Sequence, residues 1–113
     1  MHKERLQQMV TMLRGLPEEK RDNFNLTDWN CGTTACAVGW ACLDPVFIEQ
    51  GLTFDRLRIA PEFMGNDGWY AVKAFFGITF DQSRHLFDIG NYAKGASTGP
   101  DEVAARIEAF IAE

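Results

Sequence analysis

Asp28-Trp29-Asn30-Cys31-Gly32-Thr33-Thr34-Ala35-Cys36-Ala37-Val38-Gly39-Trp40-Ala41-Cys42-Leu43 holds all three cysteines of the chain, two of its three tryptophans and two of its ten glycines. Asn25, Thr27, Asp28 and Asn30 are residue types that favour helix N-caps, and the nine positions from Ala35 to Leu43 are all apolar or glycine before Asp44-Pro45 ends the run. The pattern predicts a helix from Thr33 to Leu43. A run of nine residues is about half a membrane span, which makes this a core helix and not a transmembrane one. Ala35, Cys36, Gly39 and Cys42 form a stripe of small side chains that would admit a neighbouring helix at close range, with Trp40 beside the groove.

Cys36 and Cys42 are six residues apart, roughly 9 Å along a helix axis and on different faces. A disulfide requires Cα atoms within about 7 Å. Three cysteines with no workable pair imply reduced thiols and a cytoplasmic setting. The intervals between them do not match the two-residue knuckle of zinc sites, and only His2 and His85 could complete such a site. No metal and no cofactor is expected, and the thiols read as small buried hydrophobes.

Outward from this centre, Leu6, Met9, Val10 and Leu13 repeat at helical spacing and predict a first helix over Lys3 to Arg14, stopped by Gly15. Leu16-Pro17-Glu18-Glu19 can open a short second turn, and Val46 to Gln50 another before Gly51. Leu52 to Phe54 and Leu57 to Ile59 alternate around Asp55-Arg56 and suggest a small hairpin. Asp67 is placed to cap a helix carrying Trp69, Val72 and Phe76 and ended by Gly77. Thr79 and Gln82 match a capping box for a helix reaching Asp88. Ile89 to Gly99 reads as a mobile loop, and Pro100 to Ala112 as a last helix buried through Val103, Ile107, Phe110 and Ile111. The expectation is one mainly α domain over residues 1–113, five or six helices around the small-residue helix, with at most one small hairpin.

A net charge of −5 and an apolar fraction of 46% describe an acidic globular chain. They argue against direct nucleic-acid binding and against an anionic membrane surface. The start, Met1-His2-Lys3-Glu4-Arg5, runs directly into an amphipathic pattern without the apolar segment of a secretory signal.

Catalysis would centre on Cys31, a nucleophile if it stands at the N-terminus of the predicted helix, where the dipole and free N–H groups stabilise a thiolate. His85 is the only interior histidine and Asp81 lies four residues before it, so Cys31, His85 and Asp81 could form a hydrolytic triad. Asp81 and His85 are equally an ordinary surface pair on one helix. Thr33, Trp40, Tyr92 and Lys94 are candidates for contacting a ligand or partner, Tyr92 and Lys94 because they lie in the glycine-containing loop. Thr33 is more simply a hydrogen-bonding residue of a first helical turn, and the tryptophans are more simply core.

The segment Trp29-x-Cys31-Gly32-Thr33-x-x-Cys36-x-x-Gly39-Trp40-Ala41, together with Phe75-Phe76-Gly77, Leu86-Phe87, Tyr92 and the closing Thr98, Val103 and Ala104, resembles a loosely defined set of small uncharacterised bacterial and phage proteins. The resemblance implies a compact helical domain of phage or mobile-element type and carries no established activity. The functional expectation is a non-enzymatic protein that engages a host or phage protein. The alternatives are a cysteine-dependent hydrolase and a small-ligand or nucleotide binder whose lid is the segment from Gly90 to Gly99.

Overall fold

In the computed structural model, which describes residues 1–113, the helices are α1 (Lys3–Arg14), α2 (Glu18–Arg21), α3 (Ala37–Ala41), α4 (Pro45–Glu49), α5 (Trp69–Phe76), α6 (Phe80–Phe87) and α7 (Pro100–Ile111). The strands β1 (Thr53–Asp55), β2 (Ala60–Phe63) and β3 (Asn66–Asp67) form one antiparallel sheet in the order β1-β2-β3. The chain is thus mainly helical, with a single small sheet. No helix is long and apolar enough to cross a membrane.

The apolar run is helical only over its middle, Ala37–Ala41. Ala35 is drawn into extended pairing: its N–H donates to the Asn23 carbonyl, and its carbonyl accepts from Asn25, both at 3.0 Å. The Cys36 N–H is shared between the carbonyls of Asp28 and Trp29, at 3.1 and 3.3 Å. Backbone groups committed to these partners are not free for the turn predicted at Thr33, so α3 starts four residues later. Cys36 becomes its N-cap, with the thiol sulfur accepting the Gly39 N–H at 3.4 Å.

The small-residue stripe serves a different purpose from the one expected. A Cβ on Gly39 would lie 1.7 Å from the Trp29 carbonyl oxygen and 3.0 Å from the Ala35 Cβ. The stripe therefore admits the chain's own Trp29 backbone, where a neighbouring helix was predicted. That carbonyl and α3 are locked together by the hydrogen bond to Cys36.

The first and last helices form the principal helix pair. Leu6, Met9 and Leu13 of α1 are fully buried, as are Val103, Ala104 and Ile107 of α7. Along the seam Arg14 pairs with Glu108, and Arg21 reaches Asp101 at 2.9 Å while donating to the carbonyls of Leu16 and Arg14. Across the molecule Phe75 meets Phe47, Phe63 and Phe76 edge-on, and Phe76 meets Phe87. Arg5 closes this cluster: its guanidinium lies 4.3 Å from the Phe75 ring centre and donates to the Phe75 carbonyl and to Gln50.

Three further expectations are adjusted. The hairpin exists, but its second strand begins at Ala60 after the four-residue turn Arg56–Ile59, because Asp55 pairs with Ala60 and its carboxylate takes the Leu57 N–H. A third strand follows through the two-residue turn Met64-Gly65, in which both residues have positive φ as a type I′ turn requires. Asp67 does not cap α5; Gly68 occupies that position without a side-chain cap, and the Asp67 carboxylate pairs with Arg58 at 3.1 Å.

Ile89 to Gly99, predicted as a loop, contains two turns of 3₁₀ helix, Ile89–Asn91 and Gly95–Ser97. Asp88 caps the first by accepting the Gly90 N–H. Tyr92 is buried between the two turns, its hydroxyl donating to the Leu86 carbonyl at 2.5 Å and its ring covered by Arg106. The capping box of α6 forms as predicted, Thr79 Oγ1 accepting from Gln82 N–H and Gln82 Oε1 from Thr79 N–H.

Gly39→Ala, a single methyl, should destabilise the protein by ~3 kcal/mol, at or above the usual range for overpacking, because the obstructing atom is backbone. Tyr92→Phe should cost ~1 kcal/mol by leaving a buried carbonyl without its donor. Denaturant midpoints of each variant against wild type measure both, and a Gly39→Ala protein of wild-type stability would contradict the packing of Trp29 on α3.

Candidate functional site

Cys31 stands on a short irregular loop fixed by its own polar atoms. Asn30 Oδ1 accepts the Gly32 N–H at 2.8 Å, the Cys31 N–H donates to the Thr34 carbonyl at 3.0 Å, and Gly32 between them adopts φ +98°. A side chain at Gly32 would be strained in that conformation whatever the space around it.

The loop turns hydroxyl and amide groups onto the sulfur. Thr33 Oγ1 and Thr34 Oγ1 lie 3.4 and 3.1 Å from Cys31 Sγ, and the Thr34 N–H donates to it at 3.4 Å. Hydrogen bonds from Thr33 and Thr34 to the charged form lower the thiol pKa to about 6. Thr33 therefore serves the thiol, in place of the first-turn role that the longer helix would have provided.

Cys31 is exposed, which corrects the expectation of a packing thiol, and it does not stand at a helix N-terminus, since α3 begins at Ala37. The other two cysteines are buried. Desolvation pushes Cys36 up to about 11 and Cys42 up to about 12, so both remain neutral thiols.

The recess beside Cys31, about 220 Å³, is lined by Asn30, Cys31, Gly32, Phe54, Arg56 and Ile59. The hairpin of β1 and β2 thus brings its turn against the cysteine loop. In that turn Leu57 is 96% exposed and Ile59 60% exposed. Ile59 has φ 54°, a left-handed conformation that is unfavourable for a β-branched residue. Arg58 is tied to Asp67 and Asp55, whereas Arg56 has no ion-pair partner.

His85 and Asp81 are exposed on α6; neither lines the recess nor hydrogen-bonds to Cys31. The backbone carbonyl of His85 accepts from Arg106 at 3.0 Å. The arrangement around Cys31 supplies donors that stabilise a thiolate, but no imidazole to accept or return a proton.

The other candidates are dispersed. Trp40 carries Lys20 over its ring at 5.7 Å, and its Nε1 is buried without a hydrogen-bond partner. Tyr92 is a buried anchor, and Lys94 pairs with Glu102 at 3.1 Å. Thr33 alone of them stands beside Cys31, against its sulfur and outside the lining of the recess. The exposed turn was missed at the level of sequence, because Leu57 and Ile59 alternate as strand residues do and nothing local marks them as solvent-facing. No family model, curated protein or solved structure matches this chain.

Residue-resolved alkylation with iodoacetamide should modify Cys31 rapidly near neutral pH, with a rate that rises through pH 6 and levels above it, while Cys36 and Cys42 react only on unfolding. The Thr33→Val, Thr34→Val double variant should move that titration upward toward the free thiol value. Equal labelling of all three cysteines in the native protein would contradict this assignment.

Proposed function

We propose that the chain is a protein-binding module that engages its partner through the turn Arg56–Ile59 and the adjoining Cys31 loop. The observation that carries the reading is the pair of apolar side chains at the tip, Leu57 almost fully solvated and Ile59 held in a strained backbone conformation. Scattered apolar exposure is normal on a protein surface. Strain at an exposed β-branched residue is not, and it costs roughly 1–2 kcal/mol. Strained backbone of this kind concentrates where a surface is used.

Arg56 beside Leu57 has no ion-pair partner, whereas Arg58 is held by Asp55 and Asp67, so the tip offers one unpaired cation next to its apolar side chains on a chain of net charge −5. The partner surface that complements it is an apolar depression with an acidic rim. A bacterial or phage protein as that partner is in keeping with the sequence resemblance around Trp29 to Ala41.

Cysteine-dependent hydrolysis is the second reading, supported by the lowered pKa of an exposed Cys31. It has no general base in the recess, and for that reason ranks below binding.

Two substitutions separate binding from folding. Leu57→Ser should leave stability within about 0.5 kcal/mol of wild type, because the side chain is already in water. Ile59→Gly should leave stability unchanged or raise it by up to ~1 kcal/mol, since relief of the left-handed strain offsets the glycine entropy cost. Both should reduce recovery of a stoichiometric protein from bacterial lysate by affinity capture and mass spectrometry. Capture that is unaffected by either change, or absent with wild type, would count against the proposal.

A further inference from the structure

A second concavity, of about 290 Å³, shares no lining residue with the Cys31 recess. It lies where the segment leading into Trp29 meets the start of α5 and the end of α6, and its walls include Thr27, Asp28, Trp29, Trp69, Phe87 and Asp88. Trp29 and Trp69 meet at an angle of 61° with ring centres 4.8 Å apart. Two tryptophans packed edge-on against each other, one phenylalanine and two aspartates thus line one space.

The charges around it do not cancel. Both Asp88 oxygens are engaged, by Arg84 Nε at 2.9 Å and by the Gly90 N–H at 3.0 Å. The Asp28 carboxylate has neither an ion-pair nor a hydrogen-bond partner. Cys36, which also lines the space, is a neutral thiol, and no lysine or arginine lines it. Asp28 is exposed at the rim of the space, so one unpaired carboxylate stands beside the aromatic lining.

We propose that this concavity binds a small quaternary ammonium or fully methylated amine. A cation with an apolar exterior gains from the half-buried tryptophan rings and from Asp28 together. Anions are repelled by the same carboxylate. A metal ion finds no donor set, since no three His, Cys, Asp or Glu side chains converge anywhere in the molecule. A primary ammonium needs three acceptors, and the side chains available for new hydrogen bonds here are Asp28 and the Thr27 hydroxyl.

The test is titration of the full chain with choline and with its neutral isostere 3,3-dimethylbutan-1-ol, followed through the three tryptophan indole N–H resonances. Choline should shift the Trp29 and Trp69 signals saturably and leave Trp40 unmoved, with an affinity about tenfold above that of the isostere. Asp28→Asn should weaken choline about fivefold and leave the isostere unchanged, a difference that a purely structural role of Asp28 would not produce. No saturable shift with choline, equal affinity for the two compounds, or an Asp28→Asn variant that binds choline as wild type does would each overturn the proposal.

Discussion

The contact between the Trp29 carbonyl and the bare Cα of Gly39 sets the geometry of the whole N-terminal half. With a hydrogen at position 39, the irregular chain from Asp28 to Asn30 can lie against a buried helix and share the Cys36 N–H between two carbonyls. That closeness fixes where α3 begins. It also fixes how far Trp29 projects toward Trp69, and where the Cys31 loop stands relative to the hairpin. Loops normally run over the surface because their polar backbone groups need partners. Here the loop is brought inward, and the partners are supplied by α3 and by the extended residues around Ala35.

Burial of aromatic and aliphatic side chains supplies most of the stability, and the polar interactions specify the arrangement. The ion pairs of Arg14, Arg58, Arg84 and Lys94 join groups that are partly or largely solvated, so each is worth little. Arg5 and Tyr92 act differently. Each donates to a backbone carbonyl left over at a helix end, Phe75 of α5 and Leu86 of α6; Arg5 ties its helix end to the distant α1, and Tyr92 folds the following turns back onto α6. Opposing them are Trp40 Nε1 and Thr98 Oγ1, buried without hydrogen-bond partners.

The cysteines show how far environment outweighs residue type. Cys36 and Cys42 lie among apolar side chains, and loss of water is the largest cause of their raised pKa values. Cys31 is in solvent, with threonine hydroxyls and an amide aimed at its sulfur, and its pKa falls. Exposure without those donors would leave an ordinary thiol. The Asx turn at Asn30 and the left-handed Gly32 are what hold the threonines in place.

Much of the fold was legible in the chain because it depends on local chemistry. The span of α1, the capping box at Thr79, the end of α5 at Gly77 and the start of α7 at Pro100 all follow from periodicity and caps, which act within a turn or two of the residues that encode them. The length of α3 was not legible: Thr33 and Thr34 disfavour helix only weakly, and it is pairing with Asn23, Asn25 and Asn30 that holds Ala35 extended. The same holds for Gly39, whose need for a bare Cα could be suspected from the small-residue stripe, while the backbone that fills the space comes from ten residues upstream. Cys31 as a donor-stabilised thiol, the exposed Leu57 and the concavity that Asp28 and Trp69 both line all depend on placement in the fold. Sequence by itself determined which residues could form helices and where those helices were capped. Tertiary structure decided which backbone groups were already taken, and therefore which side chains face solvent and which meet each other.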